Sequence, residues 1–282
     1  MSKALNNIKY YLVLLASAYA ILAVLPVRSE PESEDGSFPW LSTFEVGDFA
    51  ETFNSNQEVI KSGRKLVRLP IGVHSLEEEQ EDAPVVLIGI HGFGVHGYEW
   101  VYPLVTLDSE KIHTFFYRWN SLYPQSESRE TLIKKIDNIT DDRHAPLEKV
   151  VLLAHSCGGV LAISAIKELR SDIQFEIHTI AAPLNGLGIF TVCEPQIPET
   201  LPENVVVKQW RTTRSKDSVF WIFAEDPQVV FIDPSETVRL PPYHRGVRLG
   251  HVRSISWVAE QLAGDLVEKV DRNDALADSE TP

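Results

Sequence analysis

Five short apolar runs, rich in β-branched residues, alternate along the middle of the chain with longer segments of mixed polarity. These runs are Val85–Ile90, Ile112–Tyr117, Lys149–Ala154, Glu176–Ala182 and Val205–Trp210. Continuous apolar runs of this length are typical of strands covered on both faces, and helices between them supply the crossovers that parallel strands need. The pattern therefore predicts an α/β fold with a mostly parallel central sheet and helices on both faces.

The flanking segments complete the predicted domain. Lys65–Val73 is strand-like, and the acidic run Glu77–Asp82 after it is expected to be an exposed loop. Helix-compatible spacing covers Ser254–Leu266, whereas residues 271–282 lack apolar periodicity and are predicted to be a disordered tail. We expect one folded domain over residues 38–270, since α/β folds commonly reach this length around a single core.

The N-terminal segment has the features of a targeting signal. Lys3 and Lys9 precede Tyr10–Val27, which contains no charged residue, and residues 30–37 form an acidic spacer. Residues 1–29 are therefore predicted to be a signal peptide or an uncleaved signal anchor, and the sequence leaves both open. The positive-then-acidic flanks place the rest of the chain on the exported side. The expected location is the secretory pathway or cell envelope, membrane-anchored through residues 10–27, or secreted if the signal is cleaved.

Composition excludes several classes of protein. The chain has 282 residues, 44% of them hydrophobic, and a formal net charge of −14 that would repel a nucleic-acid backbone. Its 2 cysteines cannot form a four-thiolate zinc site or a cystine framework. Cys157 is expected to be a buried, inert thiol, although a Cys157–Cys193 disulfide stays open.

The candidate chemistry begins directly after the third apolar run. Residues 155–159 read HSCGG, and Val160–Arg170 has helix-compatible spacing, so the order is strand, tight turn, helix. A serine on such a turn is held in a strained conformation beside a helix N-terminus. Because a serine hydroxyl is a poor nucleophile alone, Ser156 requires a histidine base and an acid that orients it.

The AHSCGG stretch, together with HGFG at residues 91–94, resembles serine hydrolases of the α/β-hydrolase superfamily, in particular the lipase-like group that includes the GPI-inositol-deacylase relatives. The resemblance covers about Pro84–Ala263 and departs from G-x-S-x-G where Ala154 replaces the first glycine. It implies an oxyanion hole formed by the backbone N–H groups of Phe93 and Cys157. The reaction that the resemblance implies requires no cofactor and no metal. A metal site at His91 and His96 is the weaker alternative.

The same resemblance places the base and the acid late in the chain. His251, in the loop before Ser254–Leu266, is the expected base, and His244 is its competitor. Asp217 follows the last apolar run and keeps the chain order Ser, Asp, His, while Asp226 and Asp233 stay open as alternatives.

Together these residues imply hydrolysis of carboxylic esters through an acyl-enzyme, with a small-molecule or lipid ester as the substrate. The segment Gly188–Pro202 could be a lid, a wall of an acyl pocket or an ordinary surface loop. Two alternatives are a catalytically inactive lipase-like binding protein and a peptidase or other acyl-transfer enzyme on the same triad. The sequence gives no indication of the oligomeric state.

Overall fold

The structure is a computed structural model that describes residues 41, 57–77, 82–122, 125–187 and 193–277. The chain divides into residues 1–36 and a second unit of residues 37–282, and every described residue belongs to the second unit. The predicted signal segment and acidic spacer, together with residues 278–282, lie outside the described residues. In the part of the chain that is described, no helix has the length and apolar character needed to cross a membrane.

Seven strands form one sheet in the order β1-β3-β2-β4-β5-β6-β7. Strand β1 is antiparallel to β3, and all other neighbours are parallel. The strands are β1 Gly72–Ser75, β2 Val85–Ile90, β3 Ile112–Arg118, β4 Lys149–His155, β5 Phe175–Ile180, β6 Val205–Arg211 and β7 Ser235–Arg239, followed by a separate hairpin of β8 Tyr243–His244 and β9 Val247–Arg248. The predicted mostly parallel sheet is therefore confirmed.

Helices cover both faces of this sheet. They are α1 Gln57–Arg68, α2 Tyr98–Thr106, α3 Gln125–Asp141, α4 Cys157–Ala165 and α5 Ser254–Ala277. Alternate residues of β2 enter different cores, because successive side chains of a strand point to opposite faces. Val85 and Leu87 pack with α1, α2 and α5, whereas Val86 and Ile88 pack with α3 and α4. This two-sided burial explains why the strand sequences are continuously apolar.

Three sequence predictions about the flanking segments are corrected. Residues 65–68 of the predicted strand Lys65–Val73 belong to α1, because Val59, Ser62 and Leu66 recur at helical spacing and are buried on one face. Glu77, predicted to lie in an exposed loop, is buried and accepts a hydrogen bond from the backbone N–H of Thr114. Helix α5 continues to Ala277 and so includes the first residues of the predicted disordered tail, whose alanines, leucine and charged residues are mostly good helix formers.

Candidate active site

Ser156 lies on the turn between β4 and α4, at the carboxyl edge of the sheet. Its φ of 54° and ψ of −124° are unfavourable for a residue with a side chain. The positions after the serine have no room for a side chain: a Cβ on Gly158 would lie 2.5 Å from the carbonyl oxygen of His91, and one on Gly159 would lie 2.6 Å from Ala182 Cβ. The methyl group of Ala154, which replaces the motif's first glycine, is fully buried in the core. The glycines after Ser156 are therefore required by close packing.

The structure brings Ser156, His251 and Asp217 together. Ser156 Oγ lies 2.9 Å from His251 Nε2, and His251 Nδ1 lies 3.1 Å from Asp217 Oδ2. All three side chains are buried. Because a carboxylate can only accept a hydrogen bond, Nδ1 carries the proton of the neutral imidazole and donates to Asp217. The lone pair is then on Nε2, where it can accept a hydrogen bond from the serine hydroxyl. The arrangement can therefore activate the serine for nucleophilic attack.

The Asp217 carboxylate is held as an anion by its surroundings. Burial raises the pKa of Asp217, but the adjacent His251 and hydrogen bonds from His251, Thr212 and the backbone of Val219 together hold that pKa below its usual value. Oδ1 accepts the N–H groups of Val219 at 2.8 Å and Phe220 at 3.0 Å, which leaves Oδ2 for His251 and Thr212. A buried anion in this position stabilises an imidazolium at His251.

The alternative acid and base candidates have other partners. Asp226 forms an ion pair with Arg239 at 3.0 Å. Asp233 makes its contact through the backbone, whose carbonyl oxygen accepts the N–H of Leu201 at 3.2 Å, and it is Asp217 that contacts His251 Nδ1. His244 lies in the β8–β9 hairpin, where its Nε2 is 2.9 Å from the carboxylate of Glu260 on α5. Among the described residues, Asp217 and His251 are the predicted acid and base candidates that form a hydrogen-bonded chain with Ser156.

His91 orients the loop that carries Phe93. Its Nε2 lies 3.2 Å from the backbone nitrogen of Trp119, which can only donate, so Nδ1 carries the proton and donates to the carbonyl oxygen of Gly92 at 2.7 Å. Burial lowers the pKa of His91 to about 3 and keeps the ring neutral. Because the peptide is planar and trans, the N–H of Phe93 points away from the Gly92 carbonyl and from the His91 ring. A Cβ on Gly92 would lie 2.8 Å from Ser156 Cβ, so this loop is directly beside the serine.

His155 supports the loop that carries His251, a role that its position in the motif did not indicate. Its Nε2 lies 3.0 Å from the carbonyl oxygen of His251, and the two rings are 4.8 Å apart. Burial lowers the pKa of His155 to about 3, so the neutral ring donates from Nε2 to that carbonyl. The residue before Ser156 therefore holds the backbone of His251.

Cys157 and Cys193 form a disulfide, with Cα atoms 5.3 Å apart, so the expectation of an inert Cys157 thiol is wrong. The sequence could not show this pairing because it depends on the path of the intervening chain. The carbonyl oxygen of Cys157 also accepts a hydrogen bond from Gln125 Nε2 at 3.0 Å. Residues 188–192 lie outside the described residues, but Gln196 further along donates its N–H to Ser164 of α4 at 3.0 Å. The described part of the segment Gly188–Pro202 is thus fixed to α4 at two points.

Metal ligation is not evident in the parts of the chain for which the structure gives positions. No group of three side chains that could ligate a metal comes together in those residues. Both ring nitrogens of His91, one of the two histidines considered as ligands, have hydrogen-bond partners. His96 packs against Tyr98 with ring centroids 5.7 Å apart.

The sheet order and the site together define the α/β-hydrolase fold. An antiparallel first strand precedes the parallel strands, the serine lies on the turn from β4 to α4, and the aspartate follows β6. The histidine precedes the last helix, so the chain order is Ser, Asp, His. The chain therefore has the α/β-hydrolase fold.

Comparisons with solved structures find proteins with related chain paths. Est1E from Butyrivibrio proteoclasticus is 14% identical, with a TM-score of 0.48 over 71% of this chain and 93% of its own. A lipase-esterase related protein from Clostridium acetobutylicum is 11% identical, with a TM-score of 0.45 over 70% of this chain and 98% of its own. An inhibited esterase B from Lactobacillus rhamnosis is 13% identical, with a TM-score of 0.47 over 78% of this chain and 93% of its own. No protein-family model matches the chain, and no curated protein matches it in sequence.

Proposed function

We propose that this protein is a serine hydrolase that cleaves carboxylic esters through an acyl-enzyme intermediate. The observation that carries the proposal is the hydrogen-bonded line from Ser156 through His251 to Asp217, with the serine on a strained turn between strand and helix. A buried serine, imidazole and carboxylate in this order form the constellation needed for acyl transfer.

The geometry supports a two-step reaction. His251 Nε2 removes the Oγ proton as Ser156 attacks the ester carbonyl carbon, and Asp217 stabilises the resulting imidazolium. The N–H groups of Phe93 and Cys157 bind the oxyanion, and His251 then gives its proton to the departing alcohol. In the second step His251 deprotonates a water molecule that attacks the acyl-enzyme. This attack forms a second tetrahedral intermediate. As it collapses, His251 returns the proton to Ser156 and the carboxylic acid is released.

The substrate we favour is an ester with an apolar acyl group, as in a lipid. The loop after Asp217 exposes large apolar side chains, with Trp221 61% and Phe231 84% accessible. In the same loop Phe220 packs edge-on against His251, with ring centroids 4.9 Å apart. An apolar side chain in contact with His251, in a loop that also exposes apolar groups, favours an acyl chain over a polar group. In its more specific form, the proposal is that the substrate is a lipid ester, as the resemblance to lipase-like and GPI-inositol-deacylase-like hydrolases implies.

We also propose that the enzyme acts on the exported side, anchored through residues 10–27 or released after cleavage. The lysines before this apolar segment and the acidic spacer after it support the orientation. The Cys157–Cys193 disulfide supports an oxidising compartment. Carbonate extraction of the full-length protein tests the anchor, because an embedded protein stays with the membrane pellet and a cleaved one is found in the supernatant.

A fluorophosphonate probe and a series of p-nitrophenyl esters of increasing chain length test the chemistry. We expect the wild type and Ser171→Ala, which alters an exposed serine, to be labelled and to hydrolyse the esters. Ser156→Ala should do neither. Labelling of Ser156→Ala at the wild-type level would show that the nucleophile is another residue. An unlabelled wild type would indicate an inactive binding protein, and turnover of peptide amides alone would indicate a peptidase.

A further inference from the structure

Thr212, directly after β6, is hydrogen-bonded to Asp217, the proposed acid of the triad. Its side chain is fully buried, and its hydroxyl oxygen lies 2.6 Å from Asp217 Oδ2. This is the same carboxylate oxygen that lies 3.1 Å from His251 Nδ1. A second neighbour of the hydroxyl, the side-chain oxygen of Gln228 at 3.1 Å, is an acceptor and is further away. The single hydroxyl proton therefore goes to the charged carboxylate oxygen.

Gln228 fixes Thr212 in this position. The Gln228 side chain is buried, and its Oε1 accepts the backbone N–H of Thr212 at 2.8 Å. Its Nε2 donates to the carbonyl oxygen of the same residue at 3.1 Å. One amide side chain thus makes both hydrogen bonds to the backbone of Thr212, as a neighbouring strand would.

The orientation of the Gln228 amide is itself determined. Nε2 lies 2.9 Å from Asp226 Oδ1, and Asp226 forms an ion pair with Arg239. Arg239 also donates to the carbonyl oxygen of Thr212. Since a carboxylate and a carbonyl only accept, the nitrogen must face them and the oxygen must face the Thr212 N–H. A connected network therefore extends from Arg239 at the surface to the acid of the triad.

We infer that Thr212, clamped by Gln228, is a positioning residue that holds the Asp217 carboxylate in line with His251 during the reaction. The inference rests on the proposed function, since it assigns Thr212 a role through Asp217. Without the hydroxyl, His251 is the one side-chain donor left to Oδ2 among the described residues, and rotation of the carboxylate about its Cβ–Cγ bond is less restricted. The imidazolium that forms with each attack is then less well stabilised, whereas substrate binding does not change because Thr212 lies behind the acid.

Three variants test this role in steady-state hydrolysis of a p-nitrophenyl ester. Thr212→Val keeps the shape and removes the hydroxyl, and Thr212→Ser keeps the hydroxyl. Thr114→Val is the matched control, because Thr114 is also fully buried in the sheet and its hydroxyl has no hydrogen-bond partner among the described residues. We expect Thr212→Val to lower kcat about 10-fold to 100-fold, the effect of losing one hydrogen bond to a charged group, with KM within about 2-fold. Thr212→Ser should restore most of kcat, and Thr114→Val should match the wild type.

The outcomes separate this inference from the proposed function. An active wild type with Thr212→Val at the same kcat would overturn the positioning role and leave the esterase proposal intact. An equal loss of kcat in Thr212→Ser would also overturn it, because shape and not the hydroxyl would then matter. A wild type that hydrolyses no ester would overturn both. Should Thr212→Val fail to fold, as judged by its Tm, Gln228→Met carries the test, with a smaller fall in kcat at unchanged KM expected and an unchanged kcat overturning the role.

Discussion

Acidification should destabilise the protein steeply because two neutral histidines are buried beside the nucleophile. Burial lowers the pKa of both His91 and His155 to about 3, against an ordinary value of 6.5. Between these values the unfolded chain binds a proton at each histidine and the folded chain does not, so the free energy of unfolding rises with pH. The contribution is fully present above pH 6.5 and is lost as the pH falls towards 3.

The magnitude follows from the distance between the working pH and the unfolded pKa. Each histidine costs about 1.4 kcal/mol per pH unit below 6.5, so the pair costs about 4 kcal/mol at pH 5. That is a large share of the roughly 5–15 kcal/mol that stabilises a typical domain. Two other groups act in the same range: burial lowers the pKa of His113, which adds to the loss in acid, and burial raises the pKa of Glu77, which acts in the opposite sense. The contributions of His113 and Glu77 to the free energy of unfolding therefore have opposite signs.

Urea denaturation at pH 7.5, 6.0 and 5.0 measures the effect. The wild type should lose stability on acidification, and His155→Gln should lose about 2 kcal/mol less between pH 7.5 and 5.0, because its side chain cannot bind the proton. His144→Gln, at an exposed position, is the control and should keep the wild-type pH dependence. The same pH dependence in His155→Gln as in the wild type would refute the assignment of His155 as a buried neutral ring.

Two further predictions concern the turn at the nucleophile. Gly158→Ala should lower the free energy of unfolding by about 1–3 kcal/mol and reduce activity, since its Cβ would lie 2.5 Å from the His91 carbonyl oxygen, whereas Gly264→Ala, where nothing lies within 4 Å, should stabilise the protein by up to about 1 kcal/mol. Equal Tm values for the two variants would contradict this packing argument. Removing both Cys157 and Cys193 by alanine substitution should cost about 2–4 kcal/mol, because their disulfide closes a loop with a sequence separation of 36. Dithiothreitol should then lower the Tm of the wild type but not of the double variant. A wild-type Tm that is insensitive to complete reduction would refute the stabilising role of the disulfide.

The parts of the fold that could be predicted are those whose burial is complete. Strands β2 and β4 are covered on both faces, so their sequences are nearly continuous apolar runs, whereas β6 has the exposed Val206 within its run. Strand β7, Ser235–Arg239, is an edge strand with mostly exposed side chains, and no apolar run marks it. The end of helix α1 has the sequence pattern of a strand, because Leu66 and Val67 run on into the apolar residues before β1, and a short apolar run does not distinguish the two structures.

The candidate site divides in a similar way. Ser156 is marked by a local motif, and the resemblance to α/β-hydrolases predicts Asp217 and His251 from the chain order Ser, Asp, His. Thr212 and Gln228 have no such signal, because their importance comes from hydrogen bonds between residues 16 positions apart on separate segments. A buried polar side chain takes its role from its partner, and a single sequence does not show which partner the fold supplies.

If Ser156, His251 and Asp217 act as proposed, activity depends on the completion of folding. Ser156 and His251 are 95 residues apart in the chain, and His251 and Asp217 are 34 apart. Contacts of this separation carry a loop-closure cost, so we expect the site to be complete only once all three segments have been brought together. A chain that has formed its helices and central strands but has not docked the segment before α5 contains a nucleophile without a base. The rate at which ester hydrolysis returns during refolding would therefore measure how fast the segment before α5 docks onto the rest of the domain.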